Sequence, residues 1–342
     1  RRLGLEPRLD PYGNVIVHRP GGTATPVAFV AHTDHPALEV TGMAGARVRA
    51  VLLGGVRVEC FARPVPVQLF TADPNGAPTS LGGTVVQAEV VEDARGRRTV
   101  LFLETDGPVV PGDFGVFKLP GFRRDGPLLY LRAADDLAGC AAILLMLEQL
   151  GTRETPGPIY AVFTRAEEVG LVGATLVAEQ RLLPPDCIVV SLEASRALPG
   201  AVIGDGPVIR VGDAMRSFHP DGEALLLAAR QQLQGVRPER RIQRQLMSGG
   251  TCEATVFGLH GYRTTGVALP LGNYHNVGPE DTIAPEYIHL DDFLGEMDLL
   301  LAAVAVAGRS PAADLAARYA ERAARSREKL AATVPTTLKN AE

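Results

Sequence analysis

Two pairs of adjacent acids, one where a helix opens and one where a strand closes, restrict this 342-residue chain more than any other feature. Between Leu131 and Gly173, Ala134-Asp135-Asp136-Leu137-Ala138-Gly139 opens an apolar helix, and Thr164-Arg165-Ala166-Glu167-Glu168-Val169-Gly170 ends the next strand. Neighbouring carboxylates at the mouth of a hydrophobic α/β unit repel one another and resist desolvation, so a cation or a proton must offset them. We read the offset as a pair of metal ions.

The rest of the chain is organised around that unit. Asp10-Pro11-Tyr12-Gly13-Asn14 reads as a hairpin turn, followed by strands at Val15–Val17 and Pro26–Ala31. The second is so continuously apolar that both its faces must be covered, as in a central parallel strand, and it ends at His32-Thr33-Asp34. From Pro36 to Leu131 the texture changes to short alternating runs separated by Gly-, Pro- and Asp-rich turns, which predicts a small β-barrel or sandwich. The α/β alternation then resumes. Helices are expected at Asp136–Leu150, Leu171–Gln180, Asp221–Gln234, Cys252–Gly258, Leu290–Ala307 and Pro311–Ala332, and extended segments at Ile159–Thr164, Cys187–Leu192, Ile242–Leu246 and Thr264–Leu269. Residues beyond Val334 read as frayed, and the last helix carries an apolar stripe that fits its own subunit or a neighbour equally well. The fold class is therefore α/β, a mixed, mostly parallel sheet flanked by helices, with residues 1–35 and 132–342 forming the larger domain and 36–131 an inserted all-β domain.

Some classes drop out. A net charge of −5 gives no case for nucleic acid, whose binders concentrate basic surface. The apolar run Leu137–Leu147 stops at Glu148, short of a membrane span, and Arg1–Pro7 has no apolar segment behind its basic residues, so neither a membrane nor a secretory signal is expected. The opening hairpin suggests a start already inside a folded unit. Cys60, Cys140, Cys187 and Cys252 lack metal-binding or redox spacing and read as buried free thiols of a cytoplasmic protein.

A two-metal hydrolase needs one carboxylate shared by both ions, a His and an acid on each, and a free base. His32, Asp135, Glu168, Glu193 and His275 each fall at an expected strand end or the loop after it, where open α/β sheets place their ligands. Each has a plainer explanation when taken alone. A Glu-Glu pair is usually solvated, Asp135-Asp136 could cap a helix, and a single His at a strand end is more often structural. The convergence of all five on one rim is what favours metal. His35, His219, His260 and His289 show no partner pattern and are expected in structural or surface roles.

The order His-x-Asp, Asp-Asp, Glu-Glu-x-Gly-Leu-x-Gly-Ala, acid, His resembles the zinc or cobalt aminopeptidases of the co-catalytic metallopeptidase clan. The long interval between His32 and Asp135, together with Gly249-Gly250-Thr251 and Tyr274-His275, is similar to the tetrahedral, glutamyl and leucyl aminopeptidase family. That resemblance implies the aminopeptidase/phosphorylase-like sheet, short peptides as substrates, and a homo-oligomer, either a dimer or a larger cage. It also implies two divalent ions, zinc first, with cobalt or manganese as alternatives. His32, Asp135 and Glu193 would hold one ion, and Asp135, Glu168 and His275 the other. Glu167 would be the proton carrier, and Asp34 would hydrogen-bond the far nitrogen of His32. The family commonly has Asp-Asn-Arg or Asp-Asp-Arg where this chain has Asp135-Asp136-Leu137, and usually Asp where Glu193 stands. The other readings are a deacylase of N-acyl amino acids on the same ligands, and a metal-poor binding or scaffold protein.

Overall fold

The computed structural model describes residues 3–72, 76–93, 96–309 and 311–334, so the fraying expected beyond Val334 lies outside the described residues. The chain opens with an antiparallel pair, β1 (Pro7–Leu9) and β2 (Val15–Arg19), and continues into β3 (Val27–His32). It then enters a closed antiparallel barrel formed by β4 (Ala37–Ala44), β5 (Arg47–Leu53), β6 (Val65–Ala72), β7 (Pro78–Asp93), β8 (Gly96–Thr105) and β9 (Phe114–Phe117). Alternation does what the sequence pattern requires: Val48 and Ala50 on β5, Val67 and Leu69 on β6, and Leu101 and Leu103 on β8 fill the interior. The chain leaves the barrel at Phe117. The hairpin β10 (Arg123–Asp125) and β11 (Leu128–Leu131) follows, then α1 (Ala134–Leu150) and β12 (Ile159–Thr164).

The remainder alternates: α2 (Val172–Glu179), β13 (Ile188–Arg196), β14 (Val208–Arg210), α3 (Pro220–Val236), β15 (Gln243–Gln245), α4 (Glu253–Leu259), β16 (Arg263–Leu271), β17 (Glu286–His289), α5 (Leu290–Val306) and α6 (Pro311–Ala332). The described residues form a main sheet in the order β1-β2-β12-β3-β13-β16-β14-β15, while β10, β11 and β17 make a separate small sheet. Strands β12, β3, β13 and β16 run parallel. Every residue of β3 is buried, because its alternate side chains enter two different cores. Val27, Phe29 and Ala31 pack with α1, α3 and α5, whereas Ala28 and Val30 pack with α2 and α4.

Two expectations change in detail. The strand expected to stop at Leu192 runs on to Arg196, because β13 parts from β3 after Ser191 yet keeps pairing with β16 as far as Leu271. Glu193 therefore lies within a strand, just past the point where the sheet opens. Strands β14 and β17 are too short, at three and four residues, for a period to register in sequence. In α6 the described side chains are exposed, Tyr319 and Leu330 included.

Candidate metal centre

Strand β3 pairs with β12 on one side and β13 on the other, so the chain reverses its direction of winding there, and the carboxyl ends of these strands border a crevice. His32 ends β3, Glu167 and Glu168 follow β12, Glu193 projects from β13, His275 follows β16, and Asp135 lies in the first turn of α1. The structure brings all of these together. His32, Asp135 and Glu193 offer ligand atoms within 4.8 Å of one another, and so do Asp135, Glu168 and His275. Asp135 belongs to both groups and turns one oxygen to each: Oδ1 lies 3.1 Å from His32 Nε2, and Oδ2 lies 3.8 Å from His275 Nε2. His275 Nε2 is also 3.1 Å from Glu168 Oε2.

The acids are held by main chain. Asp34 Oδ1 and Oδ2 accept from the N–H groups of Glu167 and Glu168 at 3.0 and 3.1 Å, which fixes a turn that Ala166 enters at a positive φ of 57°. Gly173 closes the same turn. A β-carbon there would stand 2.2 Å from the Arg165 carbonyl oxygen, which accounts for glycine at that place in the Glu-Glu motif. The expected bond between Asp34 and His32 takes another form: the Asp34 carbonyl oxygen faces His32 Nδ1 at 3.1 Å, while its carboxylate, engaged by the turn, stays 3.8 Å away. Either acceptor leaves Nε2 free to face the site. On the other side, His275 Nδ1 is 3.1 Å from the carbonyl oxygen of Gly55, a barrel residue.

Electrostatics fit a cation site. Burial works to lower His32, but its hydrogen bond to Asp135 and the charges of Asp135, Glu193 and Glu167 outweigh it, and its pKa ends well above the ordinary 6.5. Burial, then the Glu193 charge, pushes Glu167 up to about 10. Burial and Asp135 raise Glu193 as well. Among the described residues, buried Glu168 Oε1 and Glu193 Oε1 have no hydrogen-bond partner. Unpartnered carboxylate oxygens aimed into an acidic crevice are what a divalent cation requires, so the residues present are able to hold metal.

Several neighbours of the site were not singled out as such in the sequence. His35, expected in a structural or surface role, is half-buried beside the centre and bridges the Asp135 carbonyl oxygen at 2.8 Å and Asn276 Oδ1 at 3.0 Å. Only its place in His32-Thr33-Asp34-His35 could have signalled this. Tyr274 stacks on His275 with ring centroids 3.7 Å apart. Arg210 is 2% exposed, yet its Nε and Nη1 have no hydrogen-bond partner among the described residues. It lines a cavity beside Glu193 together with Ser195, Arg196, Gly250 and Tyr274. A groove of ≈ 800 Å³ runs from Glu168 along Gly55 and Arg57 to Arg97 of the barrel. No helix among the described residues is long and apolar enough to cross a membrane.

Comparison with known proteins agrees with this geometry. Residues 104–292 match the model of the M42 glutamyl aminopeptidase family. A protein of Acetivibrio thermocellus described as "Putative aminopeptidase" is 28% identical over 244 residues, covering 65% of this chain and 67% of that protein. Solved structures share the fold, and two serve as examples. The TET1 peptidase of Pyrococcus horikoshii, said to assemble into a tetrahedron or a large octahedral shell, has a TM-score of 0.69 at 23% identity over 88% of this chain and 89% of its own. Aminopeptidase APDkam598 of Desulfurococcus kamchatkensis has a TM-score of 0.69 at 22% identity over 90% and 86%. With more than half its length matched by the family model and its fold shared with these peptidases, the chain belongs to the M42 glutamyl aminopeptidase family and is a peptidase.

Proposed function

We propose that this chain is a di-metal aminopeptidase that removes N-terminal residues from short peptides. The observation that carries the reading is Asp135, whose two oxygens face two histidines from different strands, so that a pair of three-ligand groups shares one carboxylate. His32, Asp135 and Glu193 would hold one ion, and Asp135, Glu168 and His275 the other, zinc being the first choice and cobalt or manganese the alternatives. When bound, such ions supply electrophilic polarisation of water and of the scissile carbonyl.

The chain's own residues supply the rest. Glu167 stands beside the ligands without belonging to either group. It would take the proton from the attacking water and return it to the leaving amine, which balances the hydrolysis. Asp34 would act by holding the Glu167–Glu168 turn and, through its carbonyl, His32. The cavity beside Glu193 is small, ≈ 30 Å³, so the side chain of the N-terminal residue would lie at its mouth rather than inside it. Buried Arg210, with two unpartnered nitrogens, and Arg196 favour an acidic one, as the family's description would suggest. In this reading residues 1–35 and 132–342 form the catalytic domain and 36–131 an accessory domain that borders the groove. Homo-oligomer formation is part of the proposal, supported by the exposed Met43, Val110, Phe114 and Phe122. So is a cytoplasmic setting, supported by four buried, unpaired thiols.

Metal analysis of the purified chain, paired with a panel of free-amine and N-acylated peptides, tests the reading. Two equivalents of divalent metal and cleavage confined to free amines are expected. Activity confined to blocked amines would establish the deacylase instead, and a protein with neither metal nor activity would be the scaffold.

A further inference from the structure

One buried acid outside the two ligand groups touches both of them. Glu286 is fully buried, and its carboxylate accepts two main-chain hydrogen bonds, Oε2 from Asp135 N–H at 3.0 Å and Oε1 from His275 N–H at 2.8 Å. Neither donor sits in regular structure: Asp135 has φ −84° and ψ 104° at the mouth of α1, and His275 has a φ of 57°. Without Glu286 both N–H groups would be buried orphans. The strand that carries it is stapled on either side to the chain leading into each ligand. Glu286 pairs with Leu131 of β11, shortly before Asp135, and Tyr287 bridges Gly272, shortly before His275.

The choice of side chain is informative. A carboxylate offers two acceptors and no donor, whereas the amide of Gln could satisfy one of the two N–H groups and would turn its own NH₂ against the other. Placing one more acid beside Asp135 and Glu168 is unfavourable in a site already crowded with negative charge, unless the ligands need that geometry. We propose that Glu286 is a positioning residue that sets the spacing between Asp135 and His275, and so the affinity of the group formed by Asp135, Glu168 and His275. The proposal rests on the di-metal reading above.

The test compares Glu286→Gln with wild type, both stripped by chelator and titrated with Zn²⁺, and with Co²⁺ for its absorption spectrum. Wild type should take up two equivalents. The variant should bind one of them about 10- to 100-fold more weakly, with an altered Co²⁺ spectrum and with kcat recovered at saturating metal. Two equivalents of unchanged affinity in the variant would overturn the role of Glu286 alone. Fewer than two equivalents in wild type would overturn the di-metal reading and this inference with it. Should the variant not fold, hydrogen exchange in wild type decides. Slow exchange at the Asp135 and His275 amides before metal is added supports pre-positioning by Glu286, and protection that arises only on metal addition refutes it.

Discussion

Removing divalent ions and raising the pH should destabilise this protein, because the acids around Asp135 hold protons in the fold that they release when the chain unfolds. Glu167 would ionise near 4.5 in an open chain, but burial first, then Glu193, Asp135 and Glu168, push it to about 10. A carboxyl with its folded pKa above its unfolded one contributes full stability below the unfolded value and loses it as pH rises towards the folded value. Between about pH 7 and pH 8.5 the native state keeps the Glu167 proton and the unfolded chain does not, so stability falls by about 1.4 kcal/mol per pH unit, or about 2 kcal/mol across that window. His32, raised above 6.5, acts in the same direction. His35 is lowered by burial and opposes the fall only below about 6.5, which is why the window begins above it. In a chain of this size the loss amounts to a drop of roughly 3 °C in Tm. Calorimetry in chelator across that range measures it, and Glu167→Gln should remove the Glu167 share of the slope while Glu193, Asp136, Glu286 and Glu296, raised by burial in the same direction, keep the rest. A stripped wild type with flat or rising Tm, or a Gln variant with the wild-type slope, would refute the electrostatic account of the site.

Three further outcomes follow from the geometry. Asp135→Ala should lose uptake of both metal equivalents together with activity, while Glu167→Gln should keep both and lose turnover by ~10²- to 10⁴-fold, as measured by metal analysis and steady-state kinetics. Because a β-carbon at Gly55 would stand 3.0 Å from His275 Nδ1, Gly55→Ala should displace that ring and weaken one metal equivalent by about tenfold in a chelator competition assay, with Tm little changed. Arg210→Met should lower the preference for glutamyl over leucyl peptides by about 10- to 100-fold in kcat/KM, the worth of one charge-assisted hydrogen bond; an unchanged ratio would assign the cavity to another purpose.

What could be read from sequence was whatever a local pattern encodes. Strand β3 was legible because six apolar residues in a row fit only a strand covered on both faces, and β12 because its apolar run is bounded by Pro158 and Arg165. The five ligand candidates were legible because strand ends and acids coincide in a chain whose sheet is mostly parallel. The supporting contacts were not. Glu286 looks like any acid in a short strand until the fold sets Leu131 beside it, and His35 has no sequence neighbour to explain it because its partners are Asp135 and Asn276. For Asp34, which of its oxygens would face His32 depended on a turn more than a hundred residues away.

The same long-range contacts explain why a barrel lying between the first and second candidate ligands in sequence can matter to the site. The insertion begins at β4, a few residues after His32, and the hairpin that follows it ends at Leu131, a few residues before Asp135, so both its connections leave from ligand segments. The loop after His275 closes the circuit: Val277 and Ile283 pack on the barrel core, and Asp281 pairs with Arg57. Gly55, two residues before Arg57, carries the carbonyl that His275 Nδ1 faces. His275 is thus held from one side by Glu286 of the small β10-β11-β17 sheet and from the other by the barrel, and a rigid-body shift of the barrel by even an ångström would break a 3.1 Å hydrogen bond on a candidate ligand. The barrel wall of the groove and the geometry of His275 are therefore one mechanical unit, and substitutions in the Gly54–Arg57 loop should be felt at the metal centre before they are felt in the stability of the barrel.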